Sequence, residues 1–432
     1  MRTIRYWHDR LRHPRRYREL AQLLSVPHMS AAEVAELQAQ RFDAIVRHAV
    51  SQTTFYADHY AALDLAVGQR VRPERLPPLR KHQVREHLDA MLARDADRAA
   101  VKLGHTGGST GEPLNFYYTR EKHERMLAGM KRGFMMSGWR PGERVMYLWG
   151  ASRDVSGRGV FAREASNVLD SEMSLAAVSY SEANLAAWCR KLQSWRPVLL
   201  YGYASALAEL ARFMLDTATR PPASLIGAYS TAEMLDADQH RSMEAAFGCK
   251  VFNQYGCREV PNIAWECRAG GMHVFSDLVL LEADDAVDEP GRLLVTSLSD
   301  RVMPFIRYAI GDSGELVDGE CDCGLPFPLM RMSMCRHNDL IVTPDGARVH
   351  PSVLNGLLYG MTAIRRYQWV QLAPARLRLD VVCEGRLPSS TIDDIQRGLQ
   401  QRVHPAMQLE CAYRNTIERT AAGKHRFVIG LG

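Results

Sequence analysis

The residues best suited to chemistry begin in one short stretch, His105-Thr106-Gly107-Gly108-Ser109-Thr110-Gly111-Glu112-Pro113. Its glycines let the backbone come close to a ligand and take positive φ. Thr106, Ser109 and Thr110 add hydroxyl donors, and successive N–H groups with hydroxyls are what a polyphosphate needs. No Gly-Lys-Ser/Thr closes the stretch, so it is not a Walker loop. Taken alone, such a loop is more often a plain turn. A second set is Cys267-Arg268-Ala269-Gly270-Gly271-Met272-His273 with Cys321-Asp322-Cys323-Gly324. Cys267, His273, Cys321 and Cys323 suit a tetrahedral, structural Zn²⁺ site, with no open position for catalysis. The glycines suit tight ligand knuckles, and on a strand a Cys-x-Cys pair shares one face. The alternative is small thiols that bind nothing, and Cys249 and Cys257 are rival ligands.

Further segments follow in order. Ser230-Thr231-Ala232-Glu233 comes after an apolar strand and before a helix. Then come Tyr255-Gly256-Cys257-Arg258-Glu259, Arg307-Tyr308-Ala309-Ile310-Gly311-Asp312, Cys335-Arg336-His337-Asn338-Asp339 and Arg419-Thr420-Ala421-Ala422-Gly423-Lys424. Together with the glycine-rich loop, this ordered set resembles the motifs of adenylate-forming enzymes: acyl-CoA synthetases, peptide-synthetase adenylation domains and their relatives. Glu112, where family members commonly have Lys, resembles the phenylacetate–CoA ligase-like branch. So does Tyr201-Gly202-Tyr203-Ala204-Ser205-Ala206-Leu207, which in that branch borders the acyl site. The resemblance runs over residues 100–425. Before that it is one of general helical character only.

The resemblance implies a role for each segment. Thr106, Gly107, Gly108, Ser109, Thr110 and Gly111 would hold the β- and γ-phosphates of ATP. Thr231, Ala232 and Glu233 would lie along the adenine and the acyl pocket, and Tyr255 beside the base. Glu259 would hold Mg²⁺, Asp312 the ribose hydroxyls, and Arg336 nucleotide oxygens. Asn338 would be the pivot about which a small C-terminal domain turns, and Lys424 the catalytic cation of the first step. Tyr203, Ala204, Tyr229 and Gly256 would line the acyl pocket; Trp149, Tyr203 and Tyr229 suit an aryl acid but equally a core. Two positions depart from the motifs: Arg258 stands in place of Thr, and Ala309 in place of Arg. Relatives of the branch carry similar Cys/His sets, which supports a structural Zn²⁺.

The implied reaction activates a carboxylic acid as an acyl-adenylate, with CoA the expected acceptor of the second step. The same activation serves transfer to an amine, a carrier-protein thiol or a sugar. A non-catalytic nucleotide-binding protein is the reading from another class. Glu259, Asp312 and Lys424 together argue against it, since a binding module has no need of the lysine. Monomer and homodimer both stay open.

Around these residues the chain has ordinary soluble character. It has 432 residues, 46% hydrophobic and 24% charged, which excludes disorder. Lys plus Arg is 54 against 49 for Asp plus Glu, a net charge of +5, too mild for a nucleic-acid-binding face. No apolar run reaches the roughly 18–20 residues of a membrane span, and no secretory signal pattern opens the chain, so a cytoplasmic enzyme is expected. Nine cysteines, an odd number, do not suggest a disulfide framework.

The elements that must position the motifs read as an α/β fold. Residues 1–95 form a helical lead-in, with Ala31–Ser51 at helical spacing; Arg15-Arg16-Tyr17-Arg18 reads as a solvated face, the alternative being a membrane surface or an anionic partner. Val145–Trp149, Val198–Tyr201, Leu225–Tyr229, Lys250–Asn253 and Leu293–Ser297 read as strands, alternating with helices at Ala183–Trp195, Ala204–Leu215 and Asp236–Phe247. The expected organisation is a large N-terminal ATP- and acyl-binding domain of layered sheets and helices (1–335) and a hinge (336–338). A small mobile α+β C-terminal domain (339–432) would carry Lys424. In it, Asp339–Thr343 and Arg376–Cys383 read as strands, and Pro351–Tyr359 and Ser390–Val403 as helices.

Overall fold

A computed structural model describes residues 1–432 except 64, 66–68, 106–113, 150–167, 178–181, 236, 285–290, 337–340, 347, 350–353, 355–356, 359–360, 362, 419–425, 427 and 432, and except the side chains of 105, 205, 333–336, 348 and 349. The chain separates into two compact units. One comprises residues 1–284, 293–310 and 315–331; the other comprises 285–292, 311–314 and 332–432.

The strands in chain order are β1 (Lys102–His105), β2 (Asn115–Tyr118), β3 (Val145–Trp149), β4 (Glu172–Ala176), β5 (Leu199–Tyr203), β6 (Gly227–Thr231), β7 (Lys250–Tyr255), β8 (Ala264–Glu266), β9 (Met272–Val274), β10 (Val279–Asp284), β11 (Arg292–Ser297), β12 (Tyr308–Val317) and β13 (Leu329–Arg336). Further on are β14 (Ile341–Val342), β15 (Arg348–Val349), β16 (Ile364–Ala373), β17 (Arg376–Cys383), β18 (Gln408–Tyr413) and β19 (Val428–Ile429). Eleven of them form one sheet in the order β10-β11-β12-β13-β9-β8-β7-β6-β5-β3-β4.

Strands β4, β3, β5, β6 and β7 run parallel. Parallel strands need crossover helices, which bury both faces and favour unbroken apolar runs. Accordingly β3, β5 and β6 are buried along their whole length. The helices Ala204–Asp216 and Ala237–Phe247 supply the crossovers between β5, β6 and β7. The helix Arg120–Met135 also packs flush on the sheet, since a Cβ on Gly133 would lie 2.2 Å from the Trp265 ring. The Tyr229 hydroxyl donates to the Gly133 carbonyl at that contact.

The lead-in is helical, as its spacing predicts, with Arg2–Arg12, Pro14–Leu23 and Ala31–Gln52 the longer pieces. A Ser30–Glu33 capping box starts the third. The solvated reading of Arg15–Arg18 needs correction. Arg16 is 2% exposed and pairs with Glu124 at 3.0 Å, and Tyr17 is buried beside it. The partner lies more than a hundred residues away, so the local charge run gives no hint of it.

In the second unit β18-β17-β16-β19 form a four-stranded sheet. The helix Ser389–Arg402 buries Ile395 and Leu399 in a core with Trp369, Leu377, Leu379 and Val381. This is the expected α+β pattern. Most of the helix expected at Pro351–Tyr359 lies outside the described residues.

Candidate functional site

In an open parallel sheet, ligands bind beyond the carboxyl ends of the strands. Here those ends carry Trp149, Tyr203, Thr231 and Tyr255 on β3, β5, β6 and β7. Tyr203, Thr231 and Gln254 stand in register. Gln254 ties the neighbours together, accepting from the Tyr201 hydroxyl at 3.2 Å and from the Thr231 hydroxyl. Burial pushes the Tyr201 hydroxyl well above the ordinary phenol range, so it stays a neutral donor. Trp149 and Tyr203 rings lie 4.6 Å apart, and Trp149 stacks on Tyr201 at 5.8 Å.

Beyond β7 the chain turns through Gly256 and Cys257, whose N–H donates to the Val260 carbonyl. This turn delivers Glu259, 5% exposed, onto β12, where the Tyr308 hydroxyl donates to its Oε1 at 2.9 Å. Its other carboxylate oxygen has no hydrogen bond among the described residues. A buried carboxylate with one oxygen fixed and one unused suits a hard divalent cation. Lys122, at the start of the helix Arg120–Met135, donates to the Glu259 main-chain carbonyl at 2.7 Å and pairs with buried Asp300. Burial raises the Asp300 pKa, and the Lys122 charge opposes that rise. Lys122, Asp300 and Tyr308 therefore fix the Glu259 segment. The Tyr308 signal was available inside the Arg307–Asp312 segment; Lys122 and Asp300 carry no local signal.

The strands flanking the glycine-rich loop form a hairpin, with His105 paired to Asn115. Thr106, Gly107, Gly108, Ser109, Thr110 and Gly111 themselves lie outside the described residues, as do Asn338 and Lys424. Arg336 ends β13, and its side chain is likewise not described. Ala232 takes φ +66° just past β6, turning the chain at the strand end before Glu233. Asp312 is buried on β12. Tyr229 corrects an expectation. It has no exposed surface, and its hydroxyl faces the Gly133 and Glu266 carbonyls, so it is a core residue rather than a pocket wall.

The Cys/His set converges. One ligand atom from each of Cys267, His273, Cys321 and Cys323 lies within 4.8 Å of the others. Cys267 Sγ is 3.5 Å from Cys321 Sγ, and Cys323 Sγ is 3.2 Å from His273 Nε2. Gly271 forms the floor, since a Cβ there would lie 2.6 Å from Cys321 Sγ. His273 Nδ1 faces the Phe327 carbonyl at 3.3 Å, which leaves Nε2 for the cluster. Burial lowers the His273 pKa and favours the neutral imidazole that a metal takes. Cys249 and Cys257 are not in the group.

Comparison with known proteins places this geometry. A family profile described as the CapK C-terminal domain matches residues 341–430. Protein CapK of Staphylococcus aureus is 26% identical over 291 residues, covering 66% of this chain and 63% of CapK. A phenylacetate-coenzyme A ligase of Thermus thermophilus is 25% identical over 327 residues, covering 71% of this chain and 72% of that one. The chain is thus similar to enzymes of the phenylacetate–CoA ligase-like branch of adenylate-forming proteins. A crystal structure of 2-hydroxyisobutyryl-CoA ligase with 2-HIB-AMP shares the fold of this chain. Its TM-score is 0.74 at 19% identity, over 93% of this chain and 90% of that one. No helix among the described residues is long and apolar enough to cross a membrane.

Proposed function

We propose that this chain activates a carboxylic acid with ATP as an acyl-adenylate and then transfers the acyl group to the thiol of CoA. The observation that carries the reading is the Glu259 carboxylate, buried just beyond β7 and fixed by Tyr308 and Lys122, with no hydrogen bond to its other oxygen among the described residues.

In the first step a substrate carboxylate oxygen attacks the α-phosphorus of ATP, and pyrophosphate leaves. Charge gathers on phosphate oxygens, so the protein's work is positioning and electrostatic stabilisation. Lys424 would bridge the substrate carboxylate and the α-phosphate. Thr106 to Gly111 would hold the β- and γ-phosphates, Asp312 the ribose, Arg336 phosphate oxygens, and Tyr255 with Thr231, Ala232 and Glu233 the adenine. Mg²⁺, held by Glu259, would supply charge neutralisation for the departing pyrophosphate. Trp149, Tyr203, Ala204 and Gly256 would border the acyl group. In the second step the C-terminal domain would turn about Asn338 and withdraw Lys424, so that the acceptor reaches the acyl carbon. Zn²⁺ at Cys267, His273, Cys321 and Cys323 would be structural, because four protein ligands leave no position for substrate.

Exchange of labelled pyrophosphate into ATP, run over a panel of carboxylic acids with the full chain, tests the reading. Exchange that depends on one class of acid supports it. Tight ATP binding with no exchange for any acid overturns it in favour of a nucleotide-binding protein. The acceptor has a second reading, because the same acyl-adenylate can be attacked by other nucleophiles. On that reading an amine, a carrier-protein thiol or a sugar hydroxyl replaces CoA, and acceptor screening after the exchange assay separates the two.

A further inference from the structure

An amphipathic helix on a folded domain ordinarily buries its apolar stripe and leaves its polar side in water. The first helix, Arg2–Arg12, does the reverse. Its inward side is polar. Asp9 is buried between the Tyr17 hydroxyl at 2.7 Å and Lys131 at 3.0 Å, and Lys131 reaches on to Glu172 at 3.0 Å. Arg5 donates to the Gly142 carbonyl at 2.9 Å, and the Tyr6 ring packs edge-on against Tyr17. These contacts fix how the helix is presented.

Its outward side is apolar. Ile4, Trp7 and Leu11 are 55%, 50% and 77% exposed, and Met1 is 61% exposed. At about 100° per residue, Ile4, Trp7 and Leu11 share an arc of about 60°. The exposed charges of residues 2–18 are of one sign: Arg2, Arg10 and Arg12 on the helix, then Arg15 and Arg18, with half-buried Glu143 near Arg5 on the inward side. Asp9 is the one acidic residue in the first eighteen, and it is buried. The Arg10 guanidinium lies 5.1 Å over the Trp7 ring.

We infer that the first helix and the arginines beside it form a docking surface for an anionic lipid bilayer. An interfacial helix combines apolar residues including Trp on one side with cations that reach headgroups along their flexible stems. Charge decides between occupants. A second copy packed about a two-fold axis would bring the same arginines together without compensation. An anionic bilayer supplies the missing negative charge and takes the stripe into its headgroup–acyl boundary.

Co-sedimentation of the full chain with vesicles tests this, using phosphatidylcholine alone and phosphatidylcholine with about 30 mol% phosphatidylglycerol. The protein should partition onto the anionic vesicles only, and less so when salt rises from about 0.1 to about 0.5 M. Ile4→Ser with Leu11→Ser should cut partitioning at least about tenfold without lowering the melting temperature, since both side chains are exposed. Arg12→Ser should cut it about fivefold. No partitioning onto anionic vesicles overturns the proposal, as does binding that the double variant leaves unchanged. Sedimentation equilibrium showing a dimer that the double variant dissolves, with no vesicle binding, reassigns the stripe to a second copy.

Discussion

At Cys267, His273, Cys321 and Cys323 the ligand atoms all lie within 4.8 Å of one another, and the remaining imidazole nitrogen already faces a carbonyl. Beyond the carboxyl ends of β5–β7 the polar groups form a more open row along the strand ends. Among the described residues Glu259 has one oxygen fixed by Tyr308, Thr231 donates to Gln254, and Tyr255 ends β7. The first arrangement has the donor set of a single ion's site. The second borders the strand ends where a substrate would bind. Breaking the closed group should therefore cost stability, and breaking the open one should cost rate.

The largest effect is expected at Lys424. Lys424→Ala should lower pyrophosphate exchange by about 10³ or more while keeping acyl transfer from a preformed acyl-adenylate within about tenfold. Equal loss in both assays would remove Lys424 from its role. Glu259→Gln keeps the shape and removes the charge. Exchange should fall by about 10² and need more Mg²⁺, with the melting temperature moving by no more than about 2 °C. A large thermal shift with intact turnover would mark Glu259 as structural and erase the contrast.

The closed group should behave the other way. Freshly purified protein should carry zinc, and less than about 0.2 equivalents by metal analysis would withdraw the ion. Chelation or Cys267→Ser should lower the melting temperature by about 5 °C or more, read by calorimetry. The exchange rate per folded molecule should stay nearly unchanged. The smallest effect concerns a polar group closed without any ion. Burial opposes ionisation of Asp9, but the Lys131 charge and the Tyr17 hydroxyl outweigh it and hold the carboxyl well below the usual range. Its contribution to stability is therefore present above about pH 4 and lost as the pH falls further. Thermal melts from about pH 5 down to about pH 2 should show a steeper acid loss in the wild type than in Asp9→Asn.

The same contrast explains what the sequence alone could disclose. The runs of β3, β5 and β6 are legible because strands buried on both faces cannot alternate. The Cys/His group is legible because its ligands come in short, glycine-flanked clusters. Lys122 and Asp300 are not legible, since they meet across 178 positions, and the Tyr308 bond to Glu259 spans 49. Arg16 fails for the same reason, with Glu124 lying 108 positions on. At Tyr229 an aromatic residue near a strand end fits pocket and core alike, and only the helix Arg120–Met135 decides between them. On the helix Arg2–Arg12 the period is visible in sequence. Its direction is not, because the distant Lys131 sets which side turns inward.

Attack of a substrate carboxylate on the α-phosphorus of ATP leaves an isotopic record in the nucleotide. Turnover with an acid labelled with ¹⁸O at both carboxyl oxygens, followed by mass spectrometry of the nucleotide product, reads it. AMP should carry one labelled oxygen. Label in inorganic phosphate with ADP as the product, or unlabelled AMP alongside acyl product, would contradict it.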